Sequence, residues 1–158
     1  TMDIFATQPA VAPVTRLVWE AVADIEDRVE LGVSPQGVRG IIRVTGGQFR
    51  GGPGFEGFHG SILPGGADRQ LARPDGAREL DALYEMQVHD GAILTIRNRV
   101  LIDETGPGSR YALSRIHVTA PQGPWDWLNR RVFLGTLQSA RPLRKAVIIR
   151  GWLAEQPA

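Results

Sequence analysis

The sequence predicts an all-β fold, a single antiparallel up-and-down β-barrel of about eight to ten strands. Two observations predict it. Polar and apolar residues alternate with period two in several segments, and 19 glycines and 11 prolines interrupt the 158 residues at short intervals. Period two is typical of a half-buried strand, and a long helix does not survive that density of glycine and proline. A barrel is favoured over a sandwich because closure removes the exposed edges of long strands.

The alternation places the strands along the chain. One face of the first strand carries apolar residues: Leu17, Trp19, Ala21, Ala23 and Ile25. The same pattern returns at Leu80, Ala82, Tyr84, Met86 and Val88. Turn sequences such as Pro64-Gly65-Gly66 separate most strands. The segment 20–28 fits a helix almost as well, and we interpret it as a strand. Further strands are predicted over 36–44, 55–63, 67–73, 92–101, 109–119, 127–138 and 143–154.

Length and hydropathy predict one cytoplasmic domain. A chain of 158 residues has the size of a single domain, and we expect one β-barrel over 1–158, with 1–13 as an extended or flexible segment. No apolar stretch approaches the roughly 20 residues that a membrane helix requires. Residues 1–13 lack the basic and apolar regions of a signal peptide, although a cleaved signal would leave no trace. We therefore expect no membrane partner.

Composition excludes several kinds of chemistry. The formal net charge of +1 argues against a nucleic-acid partner, because proteins that bind nucleic acid normally carry a basic excess. With no cysteine, the chain has no disulfides, thiolate nucleophiles or thiolate metal sites. Lys145 is the single lysine of the sequence, so it alone could form a Schiff base.

The glycine-rich segment 46–60 contains the pattern G-x-G-x-x-G at 52–57. Dinucleotide binding needs that pattern to open a helix, whereas the residues that follow it have a strand pattern. We interpret these glycines as bulges and close approaches of the backbone. The three histidines, His59, His89 and His117, lack the spacing of a metal site. We therefore predict neither a cofactor nor a metal ion.

Asp68 is the main candidate for catalysis. It lies at the junction of a turn and a strand, where its carboxylate either accepts hydrogen bonds from backbone amides or faces the barrel interior. In the second case an apolar setting would raise its pKa and make it an acid or a base. Asp90, in the sequence Asp90-Gly91, is interpreted as a hairpin residue.

Two further segments carry polar groups that suit a ligand. Trp127 and Asn129 share a parity, so they form either an aromatic wall beside an amide or a plug at the end of the barrel, with Asn129 bonding loop backbone. In the segment 109–119, Arg115 and His117 lie on one face of the predicted strand. A barrel that holds a ligand needs some polar side chains inside.

Five segments together resemble a known family. They occur in this order: Thr45-Gly46-Gly47-Gln48-Phe49, Leu63-Pro64-Gly65-Gly66-Ala67-Asp68, Leu80-Asp81-Ala82-Leu83-Tyr84, His89-Asp90-Gly91-Ala92 and Trp127-Leu128-Asn129. The combination resembles the family catalogued as domain of unknown function 3237, over about residues 15–154. The resemblance implies an antiparallel barrel and supplies no mechanism.

The chain departs from the family pattern at two places. An aromatic residue usually follows the aspartate of the GGAD block, and here Arg69 follows Asp68. Where the pattern runs Tyr-Phe-Arg, this chain has Tyr111-Ala112-Leu113. Arg115, two residues further along on the same face, would then replace the arginine of the relatives as a cation of the lumen. Both departures bear on substrate specificity.

These observations predict a barrel that encloses a small, largely apolar or aromatic molecule with a polar or anionic group. The residues expected to act in acid–base catalysis are Asp68, Tyr84 and His117. Those expected to bind the ligand are Arg115, Trp127, Asn129 and His59. Without a cofactor such a site performs proton transfer, so an enzyme of this kind would be a lyase or an isomerase or cyclase. The alternatives are a non-catalytic carrier and a structural role through exposed sheet faces, and a homo-oligomer is compatible with each.

Overall fold

The computed structural model describes residues 1–108 and 110–157, and ten antiparallel strands in it form one sheet. The sheet closes because the first strand pairs with the last on one side and with the third on the other. The strands are β1 Val14–Ile25, β2 Val29–Ser34, β3 Gly37–Gly51, β4 Gly60–Ile62, β5 Gly66–Ala72, β6 Arg78–Val88, β7 Ile93–Asp103, β8 Tyr111–Thr119, β9 Val132–Ser139 and β10 Ala146–Glu155.

Neighbouring strands in the barrel follow chain order. β2 continues the line of β1 beside β3, and β4 and β5 together fill the position between β3 and β6. From β6 to β10, each strand pairs with the next one along the chain. The result is a closed eight-stranded antiparallel barrel, which confirms the predicted all-β, up-and-down fold.

Alternate residues of each strand point into the barrel, and the two ends of the interior differ. At one end Trp19 contacts Phe58 and Phe133, with ring centroids 6.0 and 5.2 Å apart. We refer to this end as the closed end. Towards the other end the inward-facing residues include smaller ones, such as Ala23 and Ala82. Large aromatic rings therefore fill one half of the interior, and the other half holds a cavity.

The glycines of 46–60 allow strands to approach closely. β3 has an irregular register against β1 between Val44 and Gly46, and the φ of the next residue, Gly47, is +138°. A Cβ at Gly47 would overlap the carbonyl oxygen of Val22, and one at Gly60 would overlap the carbonyl oxygen of Gln87. Only glycine fits such positions, so the interpretation as close approaches is confirmed for Gly47 and Gly60, whereas a Cβ at Gly54 or Gly57 would meet nothing within 4 Å.

Two predicted strands are wrong in part. Of 55–63 only Gly60–Ile62 is a strand, because two turns precede it, in which Phe55 N–H donates to the Gly52 carbonyl and Phe58 N–H to the Phe55 carbonyl. These turns carry the aromatic rings onto the closed end. Of 127–138 the first part is a 3-10 helix, Asp126–Arg130, and the strand begins at Val132.

Other boundaries also differ from the sequence prediction. β2 is absent from it, although Val29, Leu31 and Val33 alternate with Glu30, Gly32 and Ser34, and the apolar side chains of β2 lie on the exposed face. A four-residue helix, Ile4–Thr7, lies in the segment expected to be extended. Of the predicted strand 109–119, residue 109 lies outside the described residues. In the described part of the chain, no helix has the length and apolar character needed to cross a membrane.

Candidate functional site

A cavity of about 110 Å³ lies in the half of the barrel away from the closed end. Its wall is mostly apolar and is contributed by several strands, with Ala23, Ile42, Val44, Ala82, Leu137 and Ile149. An engineered apolar cavity of about 150 Å³ in another protein binds benzene. The cavity therefore has room for a single small ring or a group of a few carbon atoms.

Four polar side chains line this cavity, Asp68, Gln70, Tyr84 and Asn98, and strand pairing aligns three of them. Asp68 of β5 pairs with Ala82 of β6, and Ala82 pairs with Asn98 of β7, so the carboxyl and the amide flank a methyl group. Tyr84 is the next inward-facing residue of β6. Its Cβ lies against Gly66, where an added Cβ would overlap it. We name this space the Asp68 cavity.

The polar atoms of the Asp68 cavity lack protein partners. Asp68 Oδ1, the Tyr84 hydroxyl and Asn98 Oδ1 are buried, and the structure gives them no hydrogen bond within the described residues. Tyr84 is 1% exposed and Asn98 2% exposed. Buried polar groups almost always have partners, and exceptions need an explanation. The lack of partners for three such groups around one cavity is explained if these groups bind a ligand.

The cavity changes the acidity of two of these groups. Burial raises the pKa of Asp68 to about 6, the charge of Asp81 adds to this rise, and a hydrogen bond from Gln70 opposes it. Burial, together with the nearby charge of Asp68, also raises the pKa of Tyr84 above its usual value. At neutral pH the site therefore holds a carboxylate that is a stronger base than usual, beside a phenol that keeps its proton.

The raised pKa of Asp68 predicts a pH-dependent gain in stability for Asp68→Asn. At about pH 2 the carboxyl is neutral in both the folded and the unfolded wild type, so the two proteins should be similarly stable. Between about pH 4 and pH 6 the unfolded wild type ionises first, which disfavours folding. By pH 8 the variant should exceed the wild type in free energy of unfolding by about 3 kcal/mol, measured by urea denaturation.

Asp24→Asn is the control variant, for which the change in free energy of unfolding at neutral pH is expected to have the opposite sign. The Arg144 guanidinium donates to both oxygens of Asp24, at 2.7 and 2.8 Å, and lowers the pKa of that carboxyl. That pair stabilises the fold at neutral pH and loses its effect as Asp24 is protonated. The variant should therefore be less stable than the wild type at pH 8 and similar at low pH. A gain for Asp68→Asn that does not change with pH would contradict the buried carboxylate.

Arg115 and His117 do not reach the cavity. They lie on the exposed face of β8, while the inward face carries Ser114, Ile116 and Val118. Arg115 is directly opposite Arg99 on β7. The expectation that Arg115 acts as a cation of the lumen is therefore wrong, because alternation along the strand turns its side chain to the outside.

Trp127, Asn129 and His59 lie at or beyond the closed end. Trp127 stacks on Phe55, with ring centroids 5.9 Å apart. Asn129 accepts a hydrogen bond from the Ala120 amide and donates one to the Ala120 carbonyl, at 2.8 and 2.9 Å. Of the two alternatives for this pair, the structure therefore has the plug that bonds loop backbone. His59 is exposed and stacks on His89, with ring centroids 4.3 Å apart.

Asp90 has the role expected of a hairpin residue. Its Oδ1 accepts from the Ala92 amide at 3.0 Å, and its Oδ2 accepts from Trp125 Nε1 at 2.8 Å. The turn between β6 and β7 is thereby tied to the segment that covers the closed end. The three described histidines and the acidic residues form no group of three that could hold a metal ion within the described part of the chain.

Two residues of the cavity, Asn98 and Gln70, are not among the site residues predicted from the sequence. A signal for Asn98 is present, because Leu94, Ile96 and Val100 share its parity in a predicted strand and leave one polar residue on an apolar face. Gln70 donates through Nε2 to Asp68 Oδ2 at 3.0 Å, two residues along the same face of β5. No pattern in the sequence distinguishes it from an exposed glutamine.

The fold and cavity define a closed antiparallel β-barrel with a mostly apolar interior space and a few unpartnered polar groups. Within that class, the chain belongs to the family described as Protein of unknown function (DUF3237), whose model matches residues 13–153. It is 30% identical over 147 residues to a UPF0311 protein from Rhodopseudomonas palustris, which covers 85% of this chain and 92% of that protein. The resemblance found in the sequence is confirmed.

Solved structures from bacteria and a fungus share the fold. A conserved protein of unknown function from Rhodopseudomonas palustris has a TM-score of 0.79 at 27% identity, covering 92% of this chain and 99% of that one. A beta-barrel like protein from Acinetobacter baumannii has a TM-score of 0.76 at 25% identity, with coverage of 91% and 98%. A protein from Penicillium herquei described as an enzyme has a TM-score of 0.71 at 19% identity, with coverage of 92% and 97%, which shows a common fold.

Proposed function

We propose that the Asp68 cavity binds a small carbonyl-containing metabolite, of about the size of one aromatic ring, and catalyses proton transfer beside the carbonyl without a cofactor. One observation carries the proposal. Asp68 Oδ1, the Tyr84 hydroxyl and Asn98 Oδ1 are buried without partners around one apolar space. A titratable group with a shifted pKa in such a space is typical of acid–base sites.

In the proposed reaction Asp68 is the base. Its carboxylate removes a proton from the carbon next to the carbonyl, and the C–H electron pair forms a carbon–carbon double bond. The carbonyl π electrons move to oxygen and give an enolate. Tyr84, still protonated because burial raises its pKa, donates a hydrogen bond to the developing charge. Protonated Asp68 then returns the proton.

The step that follows formation of the enolate determines the type of reaction. Return of the proton to another carbon is an isomerisation, and loss of a leaving group from the β-carbon is an elimination. The reverse of elimination adds a nucleophile, which within one molecule closes a ring. Each of these balances with the proton that Asp68 takes up and gives back, so none needs an oxidant or a reductant. The enzyme description of the Penicillium herquei protein is compatible with this class.

A non-catalytic carrier is the second candidate, and the apolar character of the wall favours it. Apart from the polar residues already named and Gln70, the lining residues are aliphatic. A carrier needs shape and hydrogen bonds, whereas a catalyst also needs a proton acceptor that works on the bound molecule. The enzyme and the carrier are therefore both expected to bind the ligand, and only the enzyme is expected to turn it over.

Exchange of α-protons for deuterium tests the proposal without knowledge of the natural substrate. Cyclohexanone and acetophenone are incubated with the wild-type protein in D2O near neutral pH, and loss of the α-proton signal is followed by NMR. We expect exchange well above the buffer rate. Binding of either ketone with exchange at the buffer rate would support the carrier, and absence of binding by both would contradict the cavity as a site for small ketones.

A further inference from the structure

Arg28 lies next to the Asp68 cavity, hydrogen-bonded to its lining residue Gln70. Its guanidinium lies over Gly40 of β3, where an added Cβ would overlap Cζ, Nε and Nη2 of the arginine. Gly40, Ile42 and Val44 share one parity, and the latter two line the cavity. The guanidinium therefore lies on the inner side of β3, in the space that a side chain at position 40 would fill.

Gln70 connects this guanidinium to Asp68. Arg28 Nε donates to Gln70 Oε1 at 3.3 Å, and Gln70 Nε2 donates to Asp68 Oδ2 at 3.0 Å. An arginine only donates hydrogen bonds, so the orientation of the amide follows from its position between a guanidinium and a carboxylate. The same arrangement occupies Oδ2 of Asp68 and leaves Oδ1 as the oxygen that is free to take a proton.

Arg28 is held by two neighbouring side chains, and part of its guanidinium remains available to a ligand. Besides Gln70 it pairs with Glu30, through Nη1 and Oε2. In the described part of the chain, the structure gives Nη2 no hydrogen-bond partner. The Arg28 side chain is 36% exposed and that of Glu30 57% exposed, so an anion can reach the guanidinium and replace Glu30. A guanidinium binds carboxylates through two parallel hydrogen bonds.

We propose that Arg28 binds the carboxylate of the ligand beside the Asp68 cavity, so that the ligand is a small organic acid about one ring in size. This inference rests on the proposed function, because the cavity has to hold the rest of the molecule. The apolar body then occupies the cavity beside Asp68, two hydrogen bonds away from Arg28. Gly40 is required because it leaves room for the guanidinium. When no ligand is bound, the Glu30 carboxylate pairs with Arg28 in place of the ligand carboxylate.

Benzoate and benzamide test this inference, since they share a ring and differ in charge. Affinities are measured by calorimetry for the wild type, Arg28→Gln, Glu30→Gln and Arg39→Gln. Arg39 is the matched control, an exposed arginine beside Gly40 with the opposite parity. Arg28→Gln should weaken benzoate binding about tenfold and leave benzamide unchanged, as expected for the loss of a partly exposed, charge-assisted pair with the carboxylate.

Glu30→Gln should strengthen benzoate binding severalfold, because it removes the competing carboxylate, and Arg39→Gln should change neither affinity. The Glu30 variant also tests the inference if Arg28→Gln proves unstable. Equal affinities of the wild type for the two compounds, or equal losses of both in Arg28→Gln, would overturn the role of Arg28 and leave the cavity proposal standing. Failure of both compounds to bind the wild type would contradict the cavity as well.

Discussion

Asp68→Asn is expected to slow α-proton exchange about a hundredfold to ten-thousandfold, the usual contribution of a general base. The amide keeps the shape of the side chain and can still accept the hydrogen bond from Gln70, but it does not take a proton at neutral pH. Affinity for acetophenone should change by less than about threefold, because the cavity wall is unaltered. Exchange is measured by NMR in D2O, and affinity by titration of the same samples.

Asp103→Asn is the matched control for this experiment. Asp103 is an exposed aspartate on β7 whose carboxylate accepts from the Thr105 amide and hydroxyl, away from the cavity. Its substitution should leave exchange unchanged. Exchange that persists in Asp68→Asn at the wild-type rate, with binding intact, would exclude Asp68 as the base and favour the carrier.

Gly47→Ala should cause the largest loss of stability, about 4 kcal/mol in free energy of unfolding. The new Cβ would overlap the carbonyl oxygen of Val22, and the φ of +138° is one that alanine rarely adopts. Gly47 pairs with Ala23 where β1 and β3 close the barrel. To relieve the overlap these strands have to separate, and Ala23 lines the cavity.

Urea denaturation followed by tryptophan fluorescence measures this loss as a lower midpoint. Gly57→Ala is the matched control, because nothing lies within 4 Å of a Cβ there. It should change the free energy of unfolding by less than about 0.5 kcal/mol. Equal midpoints for the two variants would show that the close approach at Gly47 is not needed for closure of the barrel.

The fold could be predicted because period-two alternation and tight turns are local signals. The inward face of β6, from Leu80 to Val88, follows directly from that alternation, and it places Tyr84 inside. For Asp68 the sequence left two environments open. The structure has it on a strand facing the cavity, because β5 begins at Gly66 and position 68 shares its parity.

The rest of the site depends on information that a sequence pattern does not contain. In β8 both faces carry a mixture of polar and apolar residues, so alternation alone does not decide whether Ser114 or Arg115 points inward. The contact between Arg28 and Gln70 joins the loop between β1 and β2 to β5, across 42 positions of the sequence. The sequence pattern predicts a strand at Trp127 and Asn129, whereas a 3-10 helix turns them onto the closed end.

The most direct test of the account is the pH dependence of α-proton exchange by the wild-type protein, measured from pH 4 to pH 8 with acetophenone. Only the ionised carboxylate accepts a proton, so kcat/KM should rise with pH and level off above about 6, the raised pKa of the free Asp68 side chain. The rise should be absent from Asp68→Asn. A rate that does not change across this range, or the same profile in the variant, would contradict the assignment of Asp68 as the base.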